Sequence, residues 1–414
     1  MVTINAFKGL RPNQEWAEKV ASLPYDVYSE AEVRDLVKQQ PNSFLTVIRP
    51  EMHFSEDTTV SNAELHQKSK VQLESLISSG ILSQDTQESI YIYALTLGDH
   101  RQVGLVAGVR VQEYDQDIIK KHEQTRPDKE QDRATHIDVV GANTGPVFLT
   151  YRRHDDVDTL INQQQSEMPI INFTADDGVQ HQIWQVSDPE VIQAIQAGFK
   201  EVSALYIADG HHRMAAAGRV QKERQAANPH HTGNEAYNFA LGVMFPSAQL
   251  NVLDYNRCVK DLNGLSSSDF MAQLKPYFEI EEKATHQDAK PDSAGKFGMY
   301  LDDQWYQLQL KDPRQFEPDP VQSLDAARLQ TLILDPVLGI DNPRTNQRIS
   351  FVGGIRGLEE LELRCRQDSK VAFALYPTSV EQLMTVADAG KLMPPKSTWF
   401  EPKLRSGLLI NPID

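Results

Sequence analysis

One stretch of the chain combines the start of a helix with a concentration of polar side chains. It reads Ile207-Ala208-Asp209-Gly210-His211-His212-Arg213-Met214-Ala215-Ala216-Ala217. The apolar residues 204–208 predict a buried strand, and the composition of residues 214–220 predicts a helix, so the polar residues fall on a strand-to-helix turn. Because a helix N-terminus presents unpaired N–H groups and a partial positive charge, such a turn can hold a phosphate or a carboxylate.

Each polar residue of this turn suits an anion site. Gly210 lets the backbone approach a ligand closely, and Arg213 can bind two phosphate oxygens with its forked guanidinium. His211 and His212 can donate hydrogen bonds or transfer protons, and Asp209 can hold a metal ion or orient a histidine. In the alternative, structural interpretation, Asp209 caps the helix and the histidines lie hydrogen-bonded at a surface. We favour binding, since a cap requires only one of these residues.

Length and composition indicate a folded protein of more than one domain. The 414 residues, of which 40% are hydrophobic, can form an extensive core, and the length predicts two or three domains. No apolar run approaches the roughly 20 residues that cross a bilayer, and residues 1–9 lack the order of an export signal. We therefore expect a cytoplasmic protein without membrane partners.

Charge and cysteine content narrow the classes of partner. A net charge of −17 argues against a nucleic-acid-binding surface and favours small ligands. Cys258 and Cys365 are too few for a disulfide framework or a cysteine-based zinc site, so we expect both to be reduced.

Hydrophobic periodicity predicts an α+β protein with an additional subdomain. A helix is predicted over residues 63–79, and one sheet is expected to collect the strands predicted at residues 43–49, 90–95, 101–111, 146–151, 171–173, 181–186, 204–208 and 239–245. From about Leu262 the pattern changes to a helix and short strands. We predict a mixed α/β core with the anion-binding turn over residues 1–261, an inserted or second α+β subdomain over 262–345, and a segment that returns to the core over 346–414.

A second polar segment, residues 120–133, allows two interpretations. On a helix, residues three or four apart share a face, so four side chains would project together. These are His122, Thr125, Lys129 and Arg133. Pro127 would kink or interrupt such a helix, so a turn fits equally well.

The same segment is a candidate for chemistry, although charged segments are more often solvated faces. His122 and Glu123 follow the apolar pair Ile118-Ile119, which favours a functional role. Glu123 is then a candidate general base, because a carboxylate beside cationic groups stays ionised. Lys129 or Arg126 would neutralise phosphate charge.

Two further patches are not explained by core packing. Residues 23–30 place acidic groups and hydroxyls in a proline-containing turn, either as a capped helix start or as a binding element that includes Glu30. Residues 393–403 predict a lid or ligand loop, in which Lys396, Ser397 and Thr398 offer one charge and two hydroxyls of the kind that bind phosphate.

Together these motifs resemble the domain of unknown function 1015 family over nearly the whole chain. The resemblance is carried by residues 122–125, 132–133, 208–213 and 393–400. The order of these motifs along the chain, including two more at residues 24–26 and 351–354, also resembles that of the family. It implies a ParB/sulfiredoxin-like mixed sheet core with helices, in which a Gly-x-x-Arg turn, here Gly210 to Arg213, binds nucleotide phosphates. Free serine kinases are similar in also using an Asp-Gly-His-His-Arg turn, which residues 209–213 reproduce.

The resemblance therefore implies a phosphotransferase that uses ATP or ADP with Mg²⁺ to phosphorylate a small hydroxyl compound, with free L-serine as the first candidate. The expected catalytic residues are Glu123, His122, His211 and Glu30, and Asp209 is the expected metal contact. The phosphates would be bound by Gly210, His211, His212, Arg213, Thr125, Lys129, Arg133, Lys396, Ser397 and Thr398. Two other functions stay open: a nucleotide-binding switch without phosphoryl transfer, and a phosphate-ester hydrolase. The assembly, including a homodimer, is also open.

Overall fold

The structure is a computed structural model that describes residues 1–55, 58–316 and 318–414. In this part of the chain the residues divide into two units. Unit 1 comprises Met1–Leu250 and Pro402–Asp414, and unit 2 comprises Asn251–Glu401.

Strands and helices alternate along most of the described chain. The strands are β1 (Ile4–Asn5), β2 (Leu10–Pro12), β3 (Leu82–Gln84), β4 (Ile90–Leu97), β5 (His100–Arg110), β6 (Ile119–Lys120), β7 (Ala142–Asn143), β8 (Val147–Tyr151), β9 (Ile171–Thr174), β10 (Gln180–Val186), β11 (Leu205–Asp209), β12 (Phe239–Pro246), β13 (Asn251–Leu253), β14 (Tyr255–Val259), β15 (Phe278–Lys283), β16 (Lys296–Leu301), β17 (Gln304–Leu310), β18 (Ile349–Gly353), β19 (Val371–Ala374), β20 (Trp399–Glu401) and β21 (Asn411–Pro412). The α-helices are α1 (Gln14–Val20), α2 (Glu30–Gln39), α3 (Leu45–Ile48), α4 (Asn62–Ser78), α5 (Gln112–Asp115), α6 (Pro127–Val140), α7 (Asp155–Gln163), α8 (Pro189–Glu201), α9 (His211–Ala227), α10 (Ser267–Leu274), α11 (His286–Ala289), α12 (Asp325–Leu329), α13 (Glu359–Gln367) and α14 (Val380–Asp388).

A mixed sheet forms the centre of unit 1. Nine of its described strands belong to this sheet, in the order β6-β11-β8-β12-β5-β4-β10-β9, with β1 paired to β5. β11 runs parallel to β6 and β12 runs parallel to β8, while the other neighbours are antiparallel. The long hairpin of β4 and β5 is almost entirely buried, because both of its faces carry apolar side chains. The predicted mixed sheet core with helices is confirmed.

Unit 2 has its own sheet and its own core. Six of its described strands form an antiparallel sheet in the order β15-β17-β16-β19-β14-β18. The core cluster beside this sheet includes Phe270, Phe297, Leu308 and Phe373, none of which is exposed to solvent. The additional α+β subdomain and the α+β class of the whole chain are therefore confirmed.

The structure places the unit boundaries at different residues from those predicted. β14 already belongs to unit 2, so the first boundary lies at Leu250 rather than at residue 261. β18 and β19 both pair with β14, and residues 346–401 consequently stay in unit 2. Of the predicted C-terminal segment, Pro402–Asp414 returns to unit 1.

The strand predicted over residues 43–49 is wrong, because residues 45–48 form helix α3. All four residues of α3 are buried, so its sequence shows a continuous apolar run without the alternation that separates helices from strands. Ser43 favours the helical turn, since its hydroxyl accepts a hydrogen bond from the Leu45 N–H at 3.4 Å and its carbonyl accepts one from the Thr46 hydroxyl at 2.7 Å.

Replacing Leu308 with alanine tests the core of unit 2. We expect Leu308→Ala to lower the free energy of unfolding by about 2–5 kcal/mol, because it leaves a cavity in a packed core. Leu363→Ala is the matched control, since Leu363 is 44% exposed on α13 and should change stability by less than about 1 kcal/mol. Urea unfolding followed by tryptophan fluorescence measures both, and equal effects would contradict the assignment of the core.

Candidate anion-binding site

The predicted strand-to-helix turn is present between β11 and α9. Gly210 separates the two elements with a left-handed backbone, φ 94°, which a glycine adopts without strain. The register of β11 against β8 shifts between Ile207 and Asp209, and such a bulge re-aims the end of a strand. No side chain caps α9. Asp209 instead accepts a hydrogen bond from the Gly210 N–H at 2.8 Å, so the structural interpretation of Asp209 as the helix cap is wrong.

Asp209 is held as a carboxylate by positive charges. Its Oδ2 lies 3.3 Å from the Lys403 Nζ, and 41% of its side chain is exposed. Burial alone would raise the pKa of Asp209, but Lys403 and Arg213 more than offset this and hold the pKa well below its usual range. The turn therefore carries one fixed negative charge between cations.

Two buried histidines lie beside this carboxylate. The rings of His122 and His211 meet edge to face with their centroids 4.5 Å apart. The backbone N–H of His122 donates a hydrogen bond to the His211 Nε2 at 3.5 Å. Burial lowers the pKa of His122 to about 4, although Asp209 and the Ile207 carbonyl act in the opposite direction. Burial and the neighbouring His122 also lower the pKa of His211. Both imidazoles are consequently neutral at pH 7.

The structure brings the loop before α6 to the same turn. The Arg126 N–H donates a hydrogen bond to the His212 Nε2 at 3.1 Å. α6 begins at Pro127, which fits the first turn of a helix because its missing N–H would have no partner there. The single helical face predicted from His122 to Arg133 is therefore wrong, since His122 and Thr125 precede the helix.

Two guanidinium groups flank one aromatic ring near the turn. The Cζ of Arg133 lies 4.4 Å, and that of Arg213 5.9 Å, from the centroid of the Tyr25 ring. Arg133 also binds Asp132 at 2.6 Å, whereas Arg213 donates a hydrogen bond to the Pro146 carbonyl at 2.6 Å. Both arginines line a narrow cavity of about 30 Å³, enough for a water molecule. We refer to the space lined by Tyr25, Arg133, Thr144, Gly145, Arg213 and Ser406 as the arginine cavity.

The other predicted binding and catalytic residues differ in their surroundings. Glu123 is partly buried in the loop directly after His122. Thr125 donates a hydrogen bond to Glu130 at 3.2 Å, and Lys129 is exposed on α6. Glu30 is paired with Arg34 at 2.7 Å at the exposed start of α2.

The predicted loop of Lys396, Ser397 and Thr398 belongs to unit 2. Lys396 has a left-handed backbone, φ 57°, and its Nζ lies 5.7 Å from the centroid of the Tyr255 ring. The Ser397 hydroxyl donates a hydrogen bond to the Pro394 carbonyl at 2.7 Å.

A family model described as "Protein of unknown function (DUF1015)" matches residues 4–327. The chain belongs to this family. No curated protein matches the DUF1015 chain.

Solved structures offer distant likenesses. A conserved hypothetical protein from Pyrococcus furiosus shares 14% identity at a TM-score of 0.34, over 71% of this chain and 92% of the other. SbnI from Staphylococcus aureus, truncated at its C-terminus, shares 12% sequence identity at a TM-score of 0.39, and the match covers 74% of this chain and 87% of SbnI. A free serine kinase in complex with AMP shares 14% sequence identity at a TM-score of 0.34, and the match covers 70% of this chain and 89% of the kinase. The function proposed below is argued from the contacts of this chain.

The described residues were also compared with the requirements of a metal site and of a membrane-spanning helix. Among the described residues, no group of three or more His, Cys, Asp or Glu side chains is placed to hold a metal ion. Within the same residues, no helix combines the length and the apolar character needed to span a bilayer.

Sequence reasoning did not single out Gly145 and Ser406, and it included Tyr25 and Lys403 only within the wider patches of residues 23–30 and 393–403. A Cβ on Gly145 would lie 3.4 Å from both the Arg213 Nε and the Ser406 Oγ, so a side chain there would crowd the cavity. Two features of the sequence mark these residues as candidates: the pair Gly145-Pro146 before β8, and the basic and hydroxyl residues that follow Pro402. Neither feature indicates that these residues lie beside the turn between β11 and α9.

Burial of His122 predicts a dependence of stability on pH. The folded protein keeps His122 neutral down to about pH 4, whereas an unfolded histidine takes up a proton near pH 6.5, so stability falls as the pH falls between these values. His122→Gln should reduce this loss by up to about 3 kcal/mol between pH 7 and pH 4. Urea unfolding at a series of pH values measures it, and identical pH profiles for the variant and the natural chain would refute it.

Proposed function

We propose that unit 1 binds a nucleoside phosphate at the turn between β11 and α9 and transfers a phosphoryl group to a small hydroxyl compound. L-Serine is the first candidate acceptor, because residues 209–213 resemble the Asp-Gly-His-His-Arg turn of free serine kinases. The observation that carries the proposal is the uncapped helix start behind Gly210, with the guanidinium groups of Arg133 and Arg213 close by.

This geometry supports the proposed binding of phosphate. The backbone N–H groups at the start of α9 and the helix dipole favour an anion at the turn. The Arg213 Nη1 donates a hydrogen bond to the Pro146 carbonyl, and this bond fixes the guanidinium. The other N–H groups of the guanidinium can then donate to phosphate oxygens. Because the arginine cavity is small, a nucleotide would be held at its mouth or would move the two side chains apart.

Glu123 is the proposed general base. It follows His122, which packs on His211 at the turn, so its carboxylate belongs to the same part of unit 1. In the proposed step Glu123 takes the hydroxyl proton of the acceptor while that oxygen attacks the terminal phosphorus. The bond from phosphorus to the nucleotide oxygen breaks, and the shortened nucleotide leaves. Glu30 is the second candidate base, but its ion pair with Arg34 ties it to the start of α2.

The neutral histidines have a different role in this proposal. His122 and His211 carry no charge at pH 7, so they orient the turn and exchange hydrogen bonds rather than neutralise phosphate charge. His212 accepts from the Arg126 N–H and thereby joins the loop before α6 to the start of α9.

Mg²⁺ fits the turn only with phosphate as its main ligand. Asp209 is a carboxylate with an exposed part, but its two oxygens already accept from Gly210 and Lys403. Mg²⁺ usually keeps several waters and binds one or two carboxylates besides phosphates, so Asp209 would hold it through water. When bound, the ion would neutralise phosphate charge.

Further phosphate contacts remain proposals. Arg133 lines the same cavity as Arg213 and is the strongest of them. Thr125 lies two residues before the start of α6, and Lys129 lies in its first turn. Lys396, Ser397 and Thr398 belong to unit 2, and their role in phosphate binding stays a prediction.

The structure also bears on the two alternative functions. The hydrolase alternative has His211 or His212 as nucleophile or acid. The lowered pKa of His211 disfavours it as a general acid, because a neutral imidazole is a very weak acid at pH 7, but a neutral imidazole is the form that acts as a nucleophile. A switch that closes on a nucleotide without chemistry would need the same Arg213 contact. Incubation with L-serine and ADP or ATP separates the three: phosphoserine supports the kinase, inorganic phosphate without acceptor supports the hydrolase, and binding without product supports the switch.

Arg213→Ala should weaken nucleotide binding by at least about tenfold, because it removes a charge-assisted contact to phosphate. Arg219→Ala is the matched control, since Arg219 lies on the same helix but pairs with Glu223 on an exposed face. Isothermal titration calorimetry with ADP measures both affinities. Equal affinities for the two variants would remove the turn as the phosphate site.

Glu123→Gln should leave ADP affinity within about twofold and lower kcat by about 10²–10⁴-fold, the range for loss of a general base. Glu30→Gln is the matched comparison and should leave kcat nearly unchanged. Phosphoserine formation under saturating substrate measures both rates. The opposite ranking would transfer the role of base to Glu30.

A further inference from the structure

A buried histidine of unit 1 has no role in the reaction proposed above. His66 lies on α4 with 2% of its surface exposed, and its imidazole packs edge to face on His136 of α6, with the ring centroids 5.7 Å apart. Among the described residues, neither ring nitrogen of His66 has an aligned hydrogen bond. Since a buried polar group without such a bond is destabilising, packing alone does not account for a histidine at this position.

The polar neighbour of His66 is a carboxylate of α6. The His66 Nε2 lies 3.3 Å from the Asp132 Oδ1, where α4 and α6 pack on each other. Burial alone would raise the pKa of Asp132, but His66 and the charge of Arg133 hold this pKa well below its usual range. Because an ionised carboxylate only accepts hydrogen bonds, His66 must carry a proton on Nε2 to interact favourably with it.

Asp132 in turn holds the guanidinium of the next residue. The Asp132 Oδ2 accepts from the Arg133 Nε at 3.0 Å and from the Arg133 Nη2 at 2.6 Å, while Oδ1 is the oxygen beside His66. Consecutive residues of a helix point in different directions, so this pair forms only when the Asp132 side chain is turned towards Arg133. His66 comes from another helix and is placed to hold the carboxylate in that orientation.

These contacts end at the arginine cavity. The Arg133 Cζ lies 4.4 Å from the centroid of the Tyr25 ring, and both residues line the cavity. Asp132 occupies the Nε and Nη2 edge of the guanidinium, so Nη1 is the group that can donate to a phosphate oxygen. The direction of Nη1 therefore depends on how firmly Asp132 is held.

We propose that His66 is a positioning residue of the anion site: by holding Asp132, it keeps the Arg133 guanidinium over Tyr25, where Nη1 can bind a phosphate oxygen. His66 itself touches no ligand. Binding groups are held in a productive geometry by neighbours that lock their side chains, and His66 is such a neighbour. This inference rests on the proposed binding of a nucleoside phosphate.

Calorimetry with ADP on variants of His66 tests the proposal. His66→Leu removes the imidazole and should weaken ADP at least about fivefold, because Asp132 and Arg133 lose their fixed orientation. His66→Gln should stay within about twofold of the natural chain, since its amide nitrogen can donate to Asp132 from the same place. Ser69→Ala, a buried serine on the same helix, is the control and should have no effect.

Two readouts separate positioning from a structural defect. The Tm of His66→Leu should equal or exceed that of the natural chain, because the substitution removes a poorly hydrogen-bonded group from the interior. Arg133→Ala should itself weaken ADP at least about tenfold. In that background His66→Leu should change the affinity by less than about twofold, because no guanidinium is left to position. A lower Tm together with an equal loss of affinity in both backgrounds would overturn the proposal.

Two other results would also overturn it: natural ADP affinity in His66→Leu, and an affinity of His66→Gln as low as that of His66→Leu. If the natural chain binds ADP and Arg213→Ala weakens it, these results refute only the role of His66. An absence of ADP binding to the natural chain refutes the proposed function, and this inference with it. If His66→Leu folds poorly, His66→Asn replaces it, since the shorter amide should not reach Asp132 and should weaken ADP where His66→Gln does not.

Discussion

The candidate site depends on keeping Asp209 ionised at the end of a buried strand. A carboxylate in that position is destabilising unless positive charge lies beside it, and Lys403 and Arg213 supply that charge. Since Lys403 comes from the segment that follows unit 2, the ion pair also ties residues 402–414 to the centre of unit 1. The Arg213 guanidinium is held by the Pro146 carbonyl, and its charge also favours the ionised form of Asp209.

Local patterns in the sequence predict the elements that carry this turn. The apolar run of β11, the glycine and the alanine-rich start of α9 are contiguous, so the strand, turn and helix can all be inferred from residues 204–220. The same reasoning fails at residues 43–49, because a short run that is buried on every side has no periodicity. At Pro127 the sequence allows either an interrupted helix or a turn, and in the structure a loop ends at Arg126 and Pro127 begins α6.

Much less of the site itself can be predicted from the sequence. The contact of His122 with His211 joins two segments that each stand out by composition, but their meeting depends on the parallel pairing of β6 with β11. Lys403 and Ser406 are almost 200 residues from the turn, and no local pattern relates them to it. Unit boundaries are equally hidden, because the pairing of β14 with β18 and β19 is long-range.

The chain order of the two units has a consequence for biosynthesis. Unit 1 is discontinuous, so the ribosome makes all of unit 2 before it makes Lys403, Arg405 and Ser406. Domains generally fold as units while the chain emerges. The nascent protein therefore passes through a stage in which unit 2 can be folded while Asp209 still lacks its lysine, and the wall of the arginine cavity is incomplete until translation reaches Ser406.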